Sequence, residues 1–307
     1  MTIEQRQRGK TGMRLTAKAA VPVTALVLAA GAGTAYYWCG GTETGTNSPS
    51  GTDHTAALAQ VAHAHVGSPN DPATWRLPVE AYMPTTTQAR LVTETRDQLI
   101  GKCMSAAGYA AWKPAPDLPD LGGKTLADWR YGIHDGRLAA KRGYHPAEGE
   151  QKAYDKAVEA GAVDESGADE ATLRRCVEQT DGKVPDAQPR AIVQQISGEA
   201  FDKSKEAPEV VAVFARWSSC MKDKGYSSYK QPLDASDDPR FTDPDKVTGK
   251  EIATATADLA CRDKYDVART WFDAESKIQR TEIAKHLKEF NEAAKASREA
   301  VDKAKAF

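Results

Sequence analysis

The pattern Cys-Met-x3-Gly-Tyr occurs twice in the chain, as CMSAAGY at Cys103–Tyr109 and as CMKDKGY at Cys220–Tyr226. Many helices end at a glycine in the left-handed conformation, one position beyond the helix. The next residue then contacts an apolar residue five positions earlier, which in both copies is the methionine. We therefore predict that Gly108 and Gly225 have positive φ and terminate two helices whose last turns carry the cysteines.

The motif cysteines would lie close to the core with little rotamer freedom, which favours disulfides in an oxidising compartment. Cys176 and Cys261 lie in helical patterns and are the available partners. Four cysteines allow three connectivities. We predict Cys103–Cys176 and Cys220–Cys261, because this pairing links each motif to the helices that follow it. Free buried thiols are the alternative, and Cys39 is expected to stay unpaired within the chain.

The N-terminal segment indicates the compartment. Residues 1–18 contain five basic residues against one acidic residue, and residues 19–42 contain no charged residue. A stretch of this length can span a bilayer, and the basic flank places its start in the cytoplasm. We expect a single-pass transmembrane anchor at residues 19–39, with the C-terminus outside the cytoplasm. A signal peptide cleaved after Ala32 or Ala35, which would secrete the protein, is the alternative.

The remaining chain divides by composition into three parts. Residues 40–79 are rich in small and polar residues and are predicted to form a flexible linker. Residues 80–247 alternate helical periodicity with proline-rich stretches, and β-branched runs are scarce. We predict an all-α fold: an irregular, disulfide-stapled helical domain at 80–247 with long proline-rich loops, followed by a long C-terminal helix at 248–307.

The C-terminal part contains no proline or glycine after Lys250. A continuous helix over 248–307 would be roughly 80–90 Å long, more than a compact domain could cover. An apolar seam at three-four spacing continues from about Glu282, and Leu287 and Phe290 are its largest members. We expect this seam to contact a partner, and self-association is one such contact. Packing of the seam inside the molecule is the alternative.

No motif predicts a catalytic residue, a metal site or a cofactor. The GGKT stretch at Gly122–Thr125 lacks the earlier glycine of a phosphate-binding loop. The aspartates of Asp234–Asp245 lack the glycine and the final glutamate of an EF-hand. His134 and His145 have no evident nucleophile partner. Without residues 1–18 the chain has 36 basic and 42 acidic residues, so we expect no nucleic-acid partner.

Four aromatic residues lie within or after the proline-rich segment that follows the first motif, and these are Trp112, Trp129, Tyr131 and Tyr144. Aromatic side chains on a stiff loop can bind peptides or glycans by stacking. We treat the four as the candidate ligand-binding residues. Core packing between short helices is the alternative.

The chain resembles a large set of actinobacterial extracytoplasmic proteins that are membrane-anchored or lipoprotein-like. The shared residues are Cys103-Met104 with Gly108-Tyr109, Arg130-Tyr131-Gly132-Ile133 with Gly143-Tyr144, Trp217-x-x-Cys220-Met221 with Gly225-Tyr226, and Ala257-Asp258-x-x-Cys261. The resemblance covers roughly residues 80–270. It implies export and a helical, disulfide-bonded fold, and it implies no particular activity. The residues before Cys39 differ from those of lipidated proteins.

Two classes of function fit these observations. The first is a membrane-tethered, extracytoplasmic binding or interaction module whose partner is a protein or wall component of the cell envelope. The second is an exported hydrolase of cell-wall or extracellular substrates, whose acidic and histidine residues converge only in the fold. We expect the first, because catalytic motifs are missing from the sequence and the chain carries a tether.

Overall fold

The computed structural model describes residues 61–119, 123, 125–161, 164, 166–243 and 246–307. This part of the chain is mostly helical, as predicted, and contains ten α-helices and one two-stranded sheet. The predicted basic segment at 1–18, the predicted anchor at 19–39 and Cys39 lie outside the described residues. None of the described helices is both long and apolar enough to cross a membrane.

The described chain starts with a small hairpin and continues as helices. Strands β1 (His65–Val66) and β2 (Trp75–Arg76) pair antiparallel, with His65 opposite Arg76. Short 3₁₀ helices cover Pro72–Thr74, Pro78–Tyr82 and Pro239–Phe241. The α-helices are α1 (Thr86–Ala106), α2 (Gly136–Arg142), α3 (Glu148–Gly161), α4 (Glu170–Asp181), α5 (Ala191–Ser204), α6 (Pro208–Asp223), α7 (Leu233–Ser236), α8 (Gly249–Tyr265), α9 (Val267–Lys285) and α10 (Leu287–Lys305).

The two Cys-Met-x3-Gly-Tyr motifs end α1 and α6. Gly108 and Gly225 have φ of +99° and +94°. In both motifs the tyrosine N–H donates to the methionine carbonyl at 2.9 Å, as in a Schellman terminus. Both methionines are fully buried, and the tyrosines pack against the same apolar clusters. The predicted helix terminators are therefore confirmed.

Two disulfides join helices that are distant in sequence. Cys103 on α1 is bonded to Cys176 on α4, with the Cα atoms 5.6 Å apart. Cys220 on α6 is bonded to Cys261 on α8, with the Cα atoms 5.8 Å apart. Both separations lie in the usual range for disulfides. The predicted connectivity is confirmed.

The predicted flexible linker at 40–79 is wrong over residues 61–79, which belong to the folded domain. Trp75, Leu77 and Val79 are buried, each with at most 1% of its surface exposed. The Trp75 ring lies 5.0 Å from the ring of Phe272. These three alternating apolar side chains enter the core, whereas the prediction rested on the small and polar residues around them.

The predicted single C-terminal helix at 248–307 is also wrong, because this segment forms α8, α9 and α10. The first break is at Asp266, which has left-handed backbone angles of φ 52° and ψ 45°. The second is at His286, with φ −118° and ψ 27°. Aspartate adopts the left-handed region more readily than most residues. The breaks let α9 pack on α5 and α6 while α10 packs on α1.

The apolar seam of α10 lies inside the molecule. Phe290 is fully buried, and its ring contacts the Tyr82 ring edge-on at 4.9 Å between centroids. Val301 packs in a cluster with Val92 of α1 and Val184. Internal packing, the alternative given above, therefore accounts for the seam. Leu287, the other large member of the seam, is partly buried and packs against the main core.

We expect two glycine substitutions to separate backbone strain from steric overlap. A Cβ at Gly225 would meet nothing within 4 Å, so Gly225→Ala should cost only the strain of positive φ, about 1–2 kcal/mol. A Cβ at Gly143, where φ is +61°, would lie 2.7 Å from Cδ of the buried Glu251. Gly143→Ala should lower the free energy of unfolding by a further ~1–3 kcal/mol. Urea unfolding of the oxidised protein measures both, and equal losses would contradict this assignment.

Candidate functional site

The two tyrosines among the candidate ligand-binding residues belong to the interior. Tyr131 is 1% exposed, and its hydroxyl donates to Oε2 of Glu275 at 2.8 Å. The Tyr144 hydroxyl donates to Oδ2 of Asp258 at 3.1 Å. Burial and the adjacent carboxylate raise the pKa of both phenols. Both hydroxyls are thus neutral donors inside the fold, and Tyr131 is not accessible for stacking on a ligand.

The two tryptophans occupy other places. Trp112 packs with the cluster around the first disulfide, and its ring lies beside Gly101 of α1. Trp129 lies in the loop before α2 and has a left-handed φ of 61°. Both are partly buried. The four aromatic residues therefore do not form one surface in the structure.

The first of two buried polar networks is centred on Glu275 of α9. Arg130 donates from Nε and Nη2 to this carboxylate at 2.8–3.1 Å, and the Glu275 side chain is fully buried. Gln279 donates to Glu275 at 2.7 Å and accepts from the backbone N–H of Val79 at 3.2 Å. Tyr131 completes the set. The network holds the 3₁₀ helix Pro78–Tyr82 against α9.

The second network is centred on Asp258 of α8. Its Oδ1 accepts from Trp217 Nε1 at 2.8 Å and from Arg262 Nε at 2.6 Å. The Arg262 guanidinium also donates to the carbonyl of Tyr131. A Cβ at Gly132 would overlap this guanidinium, so the site requires glycine. This network therefore joins α6, α8 and the loop at Tyr131 through buried side chains.

The histidines considered for catalysis are engaged separately. His134 Nε2 lies 2.5 Å from Asp128 Oδ1, and His145 Nε2 lies 2.8 Å from the carbonyl of Asp243. In the part of the chain that the structure describes, no three histidine, cysteine or carboxylate side chains are placed to hold a metal ion. In the aspartate-rich loop, Asp238 pairs with Arg240 and accepts from a tyrosine hydroxyl.

One concave feature of the described chain is a cleft of about 740 Å³. It lies between the end of the 3₁₀ helix Pro78–Tyr82, the start of α1 and the first two turns of α5. Residues 117–119 of the proline-rich segment and residues 186–189 before α5 complete its walls. The volume is within the range of small-molecule sites in proteins. We take this cleft as the candidate functional site.

The walls of the cleft are mainly apolar and stiff. Prolines stand on three sides, at Pro84, Pro119 and Pro189. Leu126 and Val193 contribute aliphatic surface, and Val193 is 1% exposed. Proline fixes φ and so limits how far these walls move. The cleft is therefore largely preformed, which lowers the entropic cost of binding a ligand.

Glu80 provides a carboxyl group on the cleft. Its Oε2 accepts from the backbone N–H of Leu77 at 2.6 Å, and its Oε1 lies 3.8 Å from Nε of Arg76. Its side chain is only 18% exposed. Burial raises the pKa of Glu80 to about 7, although the Leu77 hydrogen bond and the charges of Arg76 and Arg130 oppose the shift. The group changes protonation near neutral pH.

Ser197 of α5 provides an unsatisfied hydroxyl. The residue lines the cleft and is 4% exposed, and its Oγ has no hydrogen-bond partner within the described chain. Its carbonyl accepts from Arg130 Nη2 at 2.9 Å, which holds this turn of α5 in place. A buried hydroxyl without a partner costs about 1–3 kcal/mol. The Oγ atom itself is enclosed, so the hydroxyl does not face the open part of the cleft.

The mouth of the cleft is acidic. Asp117 and Asp186 line it, and Arg90 is the one basic residue among the described lining residues. Asp97 lies one turn beyond the cleft on α1, and burial together with the Asp117 charge raises its pKa to about 6. The carboxylates outnumber the base, so the mouth favours positive charge.

The segment on which the sequence analysis placed its candidates lines the cleft, but none of the four candidate aromatic residues is among the described lining residues. The proline-rich stretch after the first motif does line the cleft, through Asp117, Leu118 and Pro119. Glu80 and Ser197 carried no sequence signal, because each gains its character only from burial by distant segments. The prolines that flank these segments were the one local feature of the sequence that pointed to this part of the chain.

Comparison of the chain with models of protein families, with curated proteins and with solved structures gives no match. The structure is that of a helical domain with two disulfides and a cleft that is lined by a carboxyl group.

We expect the stability of the protein to report the buried carboxyl. From about pH 4.5 to about pH 7 the unfolded chain ionises Glu80 while the folded protein keeps the proton, so stability falls as the pH rises. The loss reaches about 3 kcal/mol. Glu80→Gln keeps an acceptor for Leu77 and removes this loss. Its free energy of unfolding, relative to that of the unsubstituted protein, should rise across this window.

The matched control is Glu299→Gln on α10, where the carboxylate is exposed and paired with Lys303. Its pKa is lowered by that hydrogen bond, so the relative stability of this variant should not rise over the same window. A flat difference for Glu80→Gln between pH 4.5 and 7 would show that Glu80 ionises normally.

Proposed function

We propose that this protein is a membrane-tethered, extracytoplasmic binding module of the cell envelope whose ligand site is the cleft. The observation that carries the proposal is a mainly apolar cleft of about 740 Å³ that is lined by the largely buried carboxyl of Glu80 and by Asp117 and Asp186. Such a combination of apolar walls with a few polar groups is typical of small-molecule sites.

The compartment rests on two kinds of support. The disulfides Cys103–Cys176 and Cys220–Cys261 favour an oxidising environment. The uncharged stretch behind five basic residues is the predicted anchor at 19–39. An envelope protein or wall component remains the expected partner. Secretion after cleavage remains the alternative for attachment.

Binding is a better fit to the cleft than hydrolysis. The hydrolase hypothesis relied on histidines and carboxylates that would converge in a cleft. His134 and His145 bond to Asp128 and to the Asp243 carbonyl, and neither lines the cleft. Ser197 is the serine among the described lining residues. A serine hydroxyl acts as a nucleophile only when a general base lies beside it.

Blocking the cleft should remove its ligand. Ala89 lies on α1 at the cleft, and Ala89→Trp would fill the space from a partly exposed position. Ala212→Trp on the exposed face of α6 is the matched control. We expect native mass spectrometry of the full chain to detect a bound small molecule in the unsubstituted and Ala212→Trp proteins and not in Ala89→Trp. Equal loading of all three proteins would contradict a site in the cleft.

Fractionation tests the proposed location. We expect the full chain in the membrane fraction, with the folded domain digested by protease added to intact cells, because the basic residues precede the predicted anchor. Blotting for the domain after protease treatment gives the result. Full-length protein in the cytosolic fraction would contradict both the anchor and the export of the domain.

A further inference from the structure

We infer that the cleft binds a small organic cation, a primary ammonium group carried on an apolar body. This inference rests on the proposed function, since it names the ligand class of the same site. Two features of the cleft carry it: the Glu80 carboxyl and the acidic mouth formed by Asp117 and Asp186.

The Glu80 carboxyl group favours a ligand that donates hydrogen bonds. An ionised carboxylate accepts at about four lone-pair sites, and Leu77 N–H, at 2.6 Å from Oε2, is the close donor to Glu80. The backbone N–H of Leu126 lies at 3.5 Å and Nε of Arg76 at 3.8 Å from Oε1. The carboxylate therefore has acceptor capacity left for a ligand. Charge-assisted hydrogen bonds to such a group are about twice as strong as neutral ones.

The number of N–H donors distinguishes the possible cations. A primary ammonium has three N–H donors, so it can bond to more than one oxygen of the cleft. A quaternary ammonium has none, and its usual binding site is an aromatic cage. The described lining residues of this cleft include no aromatic side chain.

Charge at the mouth excludes the opposite ligand class. A carboxylate ligand would enter past Asp117 and Asp186 and then meet Glu80, with Arg90 as the one opposing cation among the described lining residues. Water screens the repulsion at the exposed Asp117 and Asp186, so the larger cost arises at the partly buried Glu80. The apolar walls accommodate the body of the ligand. The chemistry of the cleft thus suits an amphipathic cation.

Protonation links binding to pH. Glu80 attracts the ammonium group only when it is ionised, and burial raises its pKa to about 7. The charges facing it are Arg76 on β2 and Arg130 in the loop before α2, and the nearby Tyr131 stays neutral. Asp97, one turn beyond the cleft on α1, has a pKa raised to about 6 and acts in the same direction. Affinity should therefore rise about tenfold between pH 6 and pH 8.

The test uses three probes of one shape: hexylammonium, hexanol and hexanoate. Calorimetric titration of the detergent-solubilised full chain at pH 8 should give the order hexylammonium, hexanol, hexanoate, with at least a tenfold preference for the ammonium over the alcohol. Glu80→Gln should abolish this preference and its pH dependence, and Glu299→Gln should keep both. Asp117→Asn, at an exposed position, should reduce ammonium affinity two- to threefold, a readout that does not depend on altering a buried group.

Equal affinity for hexylammonium and hexanol, or an affinity that does not change between pH 6 and pH 8, would overturn the ammonium assignment. So would a preference for hexanoate. If probes bind without charge preference and Ala89→Trp prevents it, the cleft is still a ligand site and only the ligand class is wrong. If Ala89→Trp leaves the binding of every probe unchanged, the ammonium site is not in this cleft. The proposed function is then judged by the native mass spectrometry described above.

Discussion

One turn of α8 holds the fold together. Asp258, Cys261 and Arg262 lie on one face of this helix and are 0–3% exposed. Asp258 binds Trp217 of α6, and Cys261 is bonded to Cys220 one turn further along α6. A buried ion pair is tolerated only when its remaining donors and acceptors are satisfied, and removing one partner costs about 3–5 kcal/mol. Arg262 meets this requirement by donating to two backbone carbonyls of the loops that it covers.

This arrangement explains why glycine stands where the loops approach charged side chains. Gly132 lies against the Arg262 guanidinium and Gly143 against the Glu251 carboxylate, and in both cases a Cβ would overlap them. Both glycines also have positive φ, so the loop turns back at the point of closest approach. The tyrosines beside them, Tyr131 and Tyr144, then enter the core with their hydroxyls satisfied by carboxylates. The aromatic residues proposed for ligand binding thus include two that serve packing.

The sequence predicted features that depend on neighbouring residues, and it failed where distant residues decide. The helix ends at Gly108 and Gly225 need only a glycine and an apolar contact within one turn, and both are correct. The break at Asp266 lies in a stretch without glycine or proline. The packing of α9 against α5 and α6 stabilises this break. Val79 binds Gln279, 200 residues away, so the partner that holds this segment in the fold lies outside any local window of sequence. The cleft has the same origin, because its polar groups come from segments far apart in the chain.

The first disulfide and the cleft are mechanically connected. Cys103–Cys176 fixes α1 to α4, α1 provides one wall of the cleft, and residues 186–189 after α4 provide another. Arg96 of α1 reinforces this link, since it pairs with Asp181 at 2.7 Å and donates to the carbonyl of Val184 at 2.5 Å. The second disulfide lies within the main core, and neither α6 nor α8 contributes a described lining residue to the cleft. The two Cys-Met-x3-Gly-Tyr motifs therefore have different consequences: the second joins two helices of the main core, and the first joins the helix of one wall to the segment that leads to another.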